Sequence, residues 1–178
     1  MNQRFFRNWL LATSVLMIAA DQGLKAWVNL HLNVLDRMAI LGQNILIISR
    51  ILNRGIAGDN FSWIPNGSIE PYTRYFPTLV LALVGVIAFI RFCEKNVTRS
   101  ELTGLTLLLA GGASNLFNHW TAAFVTDPLQ IYIGSGQYIP FNVADVGIVI
   151  GVLLILRSIG ALVWLQFTDE EECQSADR

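Results

Sequence analysis

Residues 141–165 read FNVADVGIVIGVLLILRSIGALVWL, a long apolar run that carries Asn142 and Asp145 near its start. About 20 apolar residues in an α-helix cross the ~30 Å of hydrocarbon in a bilayer. The run therefore predicts a transmembrane helix over about 142–165 whose first turn is polar.

Three further apolar segments of similar length precede this run, at about 9–28, 75–92 and 102–120. Of the 178 residues, 53% are hydrophobic and 14% are charged, whereas a soluble domain carries about 25% charged residues. We therefore predict an all-α membrane protein, a single integral domain over 1–178 with four transmembrane helices. The first apolar run continues past Asp21 to Trp27, so we interpret it as a retained span and not as a cleaved secretory signal.

The segment from about 29 to 74 is too long for a structureless connection. Within it, residues 45–53 form a β-branched stretch between Gly42 and Gly55. Such a stretch between turn residues is typical of a strand. We predict a small β-rich extracytoplasmic platform over about 29–74, lying on the outer membrane surface.

Basic residues indicate the orientation of the helices. Arg and Lys lie before the first predicted helix and between the second and third, whereas the connection 119–141 contains neither. Basic residues are retained on the cytoplasmic side of a membrane. Both termini are therefore predicted to be cytoplasmic.

Composition and cysteine spacing exclude several classes of function. The net charge of −1 gives no basic surface for nucleic acid. Cys93 and Cys173 are far apart and belong to no Cys-x-x-Cys or Cys/His pattern, so we expect neither a metal nor another cofactor. The acidic run 169–172 is interpreted as a solvated end of the chain.

Polar side chains within predicted helices are costly unless they are paired, and they therefore mark candidate sites. Asp21 and Lys25 are four residues apart on the first helix, so they share a face and predict an ion pair. Two interpretations stay open for this pair. It fixes helix packing, or it contacts substrate or lipid.

A second group of polar residues comes from two antiparallel helices. Asn115 and Asn118 share a face near the outer end of the third helix, and Asn142 and Asp145 lie in the first turn of the fourth. The same depth in the membrane predicts a polar site, in which Asp145 is either a functional carboxylate or a helix-capping residue. The small residues 110–114 are interpreted as a close helix contact.

Four stretches occur in a fixed order along the chain: Asp21-Gln22-x-x-Lys25, Asn53-x-Gly55-x-Ala57, Val125-Thr126-Asp127 and Phe141-Asn142-Val143-Ala144-Asp145. Together they resemble the motifs of the signal peptidase II family. The resemblance implies a four-helix intramembrane aspartic protease of the bacterial inner membrane that removes signal peptides from diacylglyceryl-modified prolipoproteins. It implies the prolipoprotein signal helix and membrane lipids as partners, and leaves the oligomeric state open. Its substrate-binding residues would be Asp21, Lys25, Asn53, Asn115 and Asn142.

The sequence departs from the family pattern at the end of the third helix. There Asn118 and His119 occupy positions where the family has Asp and Arg, and the expected catalytic pair becomes Asp145 with Asn118. An amide holds such a geometry but is neither acid nor base. Four alternatives follow: an impaired homologue that binds lipoprotein or signal-helix partners, a membrane scaffold subunit in which the amides only join helices, weak cleavage by Asp145 alone, or an enzyme in which Asp127, in the outer connection, or Asp59, in the platform, supplies the second carboxylate.

Overall fold

The structure, a computed structural model, describes residues 2–34, 36–42, 45–53, 69–94, 97–134 and 136–176. Four helices lie where the apolar segments predict them. Three of them extend beyond the predicted bounds at both ends, and the last extends only at its C-terminal end. The helices are α1 (Gln3–His31), α2 (Ile69–Cys93), α3 (Arg99–Ala122) and α4 (Val143–Ala176). Local signals set the start of α3, because the Thr98 hydroxyl accepts a hydrogen bond from the backbone N–H of Glu101.

Helices α3 and α4 are in backbone contact through glycines. A Cβ on Gly104 would lie 2.6 Å from the carbonyl oxygen of Gly151, and one on Gly111 would lie 2.6 Å from that of Ala144. Only glycine permits so close an approach of two backbones. The interpretation of the small residues 110–114 as a helix contact is thus confirmed, and the contact brings the end of α3 to the start of α4.

Four strands form one antiparallel sheet in the order β1-β2-β3-β4. They are β1 (Arg37–Leu41), β2 (Leu46–Asn53), β3 (Val125–Gly134) and β4 (Gln137–Phe141). The β-rich platform predicted over about 29–74 is present as β1 and β2, and the sheet is larger than predicted. Half of the sheet comes from the α3–α4 connection.

The β3–β4 hairpin has its own signal in the sequence, separate from the apolar spans. Isoleucine and tyrosine alternate on both sides of Gly134 and Gly136, whose φ angles are +99° and +76°. Positive φ favours glycine, and turn glycines between β-branched runs are typical of a hairpin.

Side-chain hydrogen bonds attach the sheet to the end of α1. Asn29 of α1 donates to the hydroxyl of Thr126 in β3 at 3.1 Å and accepts from Arg50 of β2 at 3.1 Å. Arg50 also donates to the carbonyl oxygen of Leu32. The two central strands are therefore fixed to the helix that carries Asp21 and Lys25.

The helices expose much apolar surface. Leu79, Phe89 and Leu153 are 68%, 70% and 60% exposed, which suits contact with lipid and not with water. Among the described residues, two helical segments are long and apolar enough to cross a membrane, Tyr75–Cys93 and Val143–Ala161. Asp59 and the Gly55 and Ala57 of the second motif lie outside the described residues.

Candidate active site at the start of helix α4

Asn142 and Asp145 cap the first turn of α4 reciprocally. The side-chain oxygen of Asn142 accepts from the backbone N–H of Asp145 at 2.9 Å, and Asp145 Oδ2 accepts from the backbone N–H of Asn142 at 3.1 Å. This is the capping-box arrangement, and it fixes the rotamers of both side chains. The capping interpretation of Asp145 is thus confirmed, and a role of its carboxylate in chemistry stays compatible with it.

Asn142 also reaches a second carboxylate. Its Nδ2 donates to Asp127 Oδ1 at 2.7 Å, while Asn53 Nδ2 donates to Asp127 Oδ2 at 3.0 Å. The sheet sets this geometry, because β2 and β3 pair Ile51 with Asp127 and end with Asn53 opposite Val125. Asp127 and Asp145 therefore share the side chain of Asn142.

Asp127 lies in a setting that alters its acidity. It is 3% exposed. Burial raises the pKa of Asp127 above its ordinary value, and the negative charge of Asp145 raises it further. The hydrogen bonds from Asn142 and Asn53 and the charge of Lys25 oppose that rise. A buried carboxyl group beside a second carboxylate is the environment that favours retention of one shared proton.

Helix α3 approaches Asp145 through Asn115. Asn115 Nδ2 donates to Asp145 Oδ1 at 2.8 Å, and Asn115 Oδ1 accepts from Lys25 Nζ at 2.7 Å. A connected series of polar groups thus runs from α1 through α3 to α4. Asp145 and Asn115 are partly exposed, so this side of the site is open to a ligand.

The predicted ion pair between Asp21 and Lys25 is confirmed. Lys25 Nζ lies 2.7 Å from Asp21 Oδ2, with the two side chains 2% and 0% exposed. Asp21 Oδ1 also accepts from the backbone N–H of Ala144 at 3.0 Å, and Oδ2 accepts from the Ser114 hydroxyl at 2.7 Å. These contacts join α1 to α3 and α4, and the enclosure of both charges favours the packing interpretation over direct contact with substrate.

Asn118 and Asp127 do not lie as the sequence predicts, with Asn118 paired to Asp145 and Asp127 in the outer connection. The side-chain oxygen of Asn118 accepts from Lys25 and from Gln22, each at 3.0 Å. Asn115, one turn earlier, donates to Asp145 instead. Asp127, expected in the outer connection, lies in strand β3, in which residues from 125 to 131 pair with β2.

Sequence reasoning did not identify Ser114, which is 2% exposed and binds Asp21. A serine within a run of small residues gives no separate signal. Among the described residues, no group of three or more His, Cys, Asp or Glu side chains could hold a metal ion.

Comparisons with known proteins match most of the chain. Residues 13–160 match the model of the family described as Signal peptidase (SPase) II. The chain is 32% identical over 172 residues to the lipoprotein signal peptidase of Hydrogenovibrio crunogenus, covering 96% of this chain and 92% of that protein. It is 31% identical over 143 residues to the lipoprotein signal peptidase of Solibacter usitatus, covering 80% of this chain and 85% of that protein.

The fold is similar to a solved bacterial membrane enzyme, determined by the in meso method at 2.3 Å resolution. The TM-score is 0.70 at 19% identity, over 85% of this chain and 87% of that structure. The exposed apolar helices and the attached sheet agree with this likeness, and the protein is a membrane protein with a small β platform. The family match over 13–160, together with relatives similar over most of their length, shows that this chain belongs to the signal peptidase II family.

Proposed function

We propose that this protein is an aspartic endopeptidase that removes signal peptides from diacylglyceryl-modified prolipoproteins, with Asp127 and Asp145 as its catalytic carboxylates. Family membership and relatives named lipoprotein signal peptidases support the reaction. The observation that carries the residue assignment is the single amide of Asn142, which bonds the carboxylate of Asp127 and the backbone N–H of Asp145.

Two carboxyl groups that share one proton can divide the roles of acid and base. We place the shared proton on Asp127, because this carboxyl group is 3% exposed whereas Asp145 is partly exposed. Asp145 then removes a proton from water, and the resulting hydroxide adds to the carbonyl carbon of the scissile peptide bond. Asp127 gives its proton to the leaving nitrogen as the carbon–nitrogen bond breaks, and the proton taken by Asp145 restores the shared one.

The amides divide into two groups by exposure. Asn142 is 1% exposed, so we assign it to the carboxylates alone. Asn53 and Asn115 are partly exposed, and we place their exposed edges against the extended backbone of the substrate, because an amide can both donate to and accept from a peptide. The signal helix would reach them sideways from the bilayer.

The alternative of an impaired homologue rests on Asn118 in a catalytic position, and that of a scaffold subunit on amides that only join helices. Lys25 and Gln22 bind the Asn118 side chain, and Asp127 supplies a second carboxylate beside Asp145. No observation favours those alternatives over an active peptidase.

The function is tested with the purified full-length chain in lipid. We expect cleavage of a prolipoprotein that carries the diacylglyceryl group and at least ~100-fold slower cleavage of the same precursor with its acceptor cysteine replaced by serine, because remote binding energy contributes to rate. Mass spectrometry of the released peptide measures both. No cleavage of either precursor, with binding of the lipidated one retained, would instead support the impaired homologue.

We further propose that all four helices cross the bacterial inner membrane and that both termini are cytoplasmic. Arg7 of α1 lies 4.6 Å from the ring centre of Phe92 in α2, and Arg99 of α3 lies 5.6 Å from that of Phe6. These arginines therefore gather at one end of the bundle, as expected of a cytoplasmic face. Helices α1 and α3 carry polar side chains of the site, and for this reason they are less apolar than the segments Tyr75–Cys93 and Val143–Ala161 of α2 and α4.

Cysteine labelling tests this topology in intact cells. In a background with Cys93 and Cys173 replaced by serine, we expect a membrane-impermeant maleimide to label Gln137→Cys, because β4 lies outside. The matched variant with native Cys93 restored, at the exposed end of α2, should react only after the membrane is permeabilised. Labelling of Cys93 in intact cells would contradict the orientation.

A further inference from the structure

Lys25 uses all of its hydrogen-bonding capacity inside the protein. An ammonium group has three N–H donors and no acceptor. Its Nζ lies 2.7 Å from Asp21 Oδ2, 2.7 Å from Asn115 Oδ1 and 3.0 Å from Asn118 Oδ1. The residue is 1% exposed. One carboxylate and two amide oxygens therefore hold this buried cation.

The cation fixes the orientation of the Asn115 amide. Because Lys25 only donates, the oxygen of Asn115 must face it, and the NH₂ group must then face Asp145, to which it donates at 2.8 Å. Hydrogen bonds in series strengthen one another. The charge of Lys25 therefore makes Asn115 a better donor to the Asp145 carboxylate.

Gln22 holds Asn118 in its place beside Lys25. The two amides pair reciprocally, since Gln22 Nε2 donates to Asn118 Oδ1 at 3.0 Å and Asn118 Nδ2 donates to Gln22 Oε1 at 3.3 Å. Gln22 Nε2 also lies 2.8 Å from the hydroxyl oxygen of Ser114. The Asn118 oxygen therefore stays directed at the ammonium.

Around Lys25, the positive and negative charges of the side chains in contact balance only because residue 118 is neutral. Asp21 and Lys25 contribute one charge of each sign. We propose that Asn118 is a positioning residue that gives Lys25 an uncharged third ligand, so that the ammonium charge acts through Asn115 on Asp145. The inference rests on the proposed peptidase function. In this chain, a carboxylate at position 118 would compete for Lys25 and impair the site.

The test is the pH profile of precursor cleavage by Asn118→Asp, which changes charge at constant shape. The charges that act on Asp145 are those of Lys25 and Asp21 from α1 and of Asp127 from β3, and buried His119 is a further titratable group on α3. An added negative charge near Asp127 and Asp145 makes this pair of carboxyl groups lose its first proton at a higher pH. We expect the acid limb of kcat to move upward by about one pH unit, with kcat ~10-fold lower on that limb and within ~3-fold on the plateau.

The control adds the same charge outside the site. Asn29→Asp places a carboxylate beside Arg50 at the end of α1, and we expect its acid limb to stay within ~0.3 pH unit of the native enzyme because Arg50 compensates the charge. Gln22→Glu, which introduces the charge next to Asn118, should shift the limb in the same direction by a smaller amount. It serves as the second variant if Asn118→Asp does not fold.

Three outcomes would overturn the inference: an unmoved acid limb in both Asn118→Asp and Gln22→Glu, an equal shift in Asn29→Asp, or higher activity of Asn118→Asp at every pH. Failure of the proposed function is a separate result. It would appear as full activity in both Asp127→Asn and Asp145→Asn, whatever the position of the limb.

Discussion

Asp127→Asn is expected to lower kcat for prolipoprotein cleavage by roughly three to four orders of magnitude. The amide keeps the shape of the carboxylate but can neither hold the shared proton nor deliver it to the leaving nitrogen. Asn142 and Asn53 donate to different oxygens of this carboxylate, so the amide oxygen accepts from one of them and the other hydrogen bond is lost, because an NH₂ group only donates. Initial rates on a lipidated precursor measure the loss, and Asp36→Asn, an exposed change that removes the same charge elsewhere, should retain native activity.

Thermal unfolding at several pH values checks that the Asp127→Asn protein is folded. Because burial raises the pKa of Asp127 in the folded state, the folded protein binds this proton more tightly than the unfolded chain does. The native enzyme therefore loses stability as the pH rises from the pKa of this carboxyl group in the unfolded chain, about 3.9, to its raised pKa in the folded protein. An asparagine side chain does not titrate and causes no such loss of stability. The Tm of the variant minus the Tm of the native enzyme should therefore increase from pH 4 to pH 8.

Full activity of Asp127→Asn together with an inactive Asp59→Asn would contradict the assignment. The second carboxylate would then be Asp59, the other acidic residue that the sequence offers for this role. An inactive Asp127→Asn whose Tm falls sharply at every pH would also count against it, because a structural role would then account for the loss.

Contacts between residues close in sequence could be predicted for this protein. The Asp21–Lys25 pair follows from helical spacing of four, and the reciprocal cap of Asn142 and Asp145 follows from a spacing of three at a helix start. Helix positions follow from apolar length. In each case the geometry of a single helix brings the residues together.

Contacts that depend on strand pairing could not be predicted in the same way. Asn53 and Asp127 are 74 positions apart and meet because β2 and β3 pair in one register. A sequence pattern predicts strands but does not by itself give their partners. The expectation that Asn118 partners Asp145 comes from the resemblance at the end of the third helix, whereas in the structure the Asn118 side chain accepts from Lys25 and Gln22.

The second large effect is expected at Asn142, the residue that joins the two carboxylates. Asn142→Ala removes the donor to Asp127 and the acceptor for the Asp145 backbone. We expect kcat to fall by about 10²–10³-fold, because misplacement of a catalytic group by about 1 Å costs a factor of this size. Loss of the cap should also lower the free energy of unfolding by about 1 kcal/mol.

Asn142→Ser separates these two contributions. Serine is a good helix cap, so its hydroxyl can still accept from the Asp145 backbone N–H, but it is too short to bond Asp127 as well. We expect the free energy of unfolding of this variant to exceed that of Asn142→Ala by about 1 kcal/mol, the contribution of the cap, while kcat falls about as far as in Asn142→Ala. Native activity in Asn142→Ser would show that the cap alone matters, and the bridge from Asn142 to Asp127 would then have no part in catalysis.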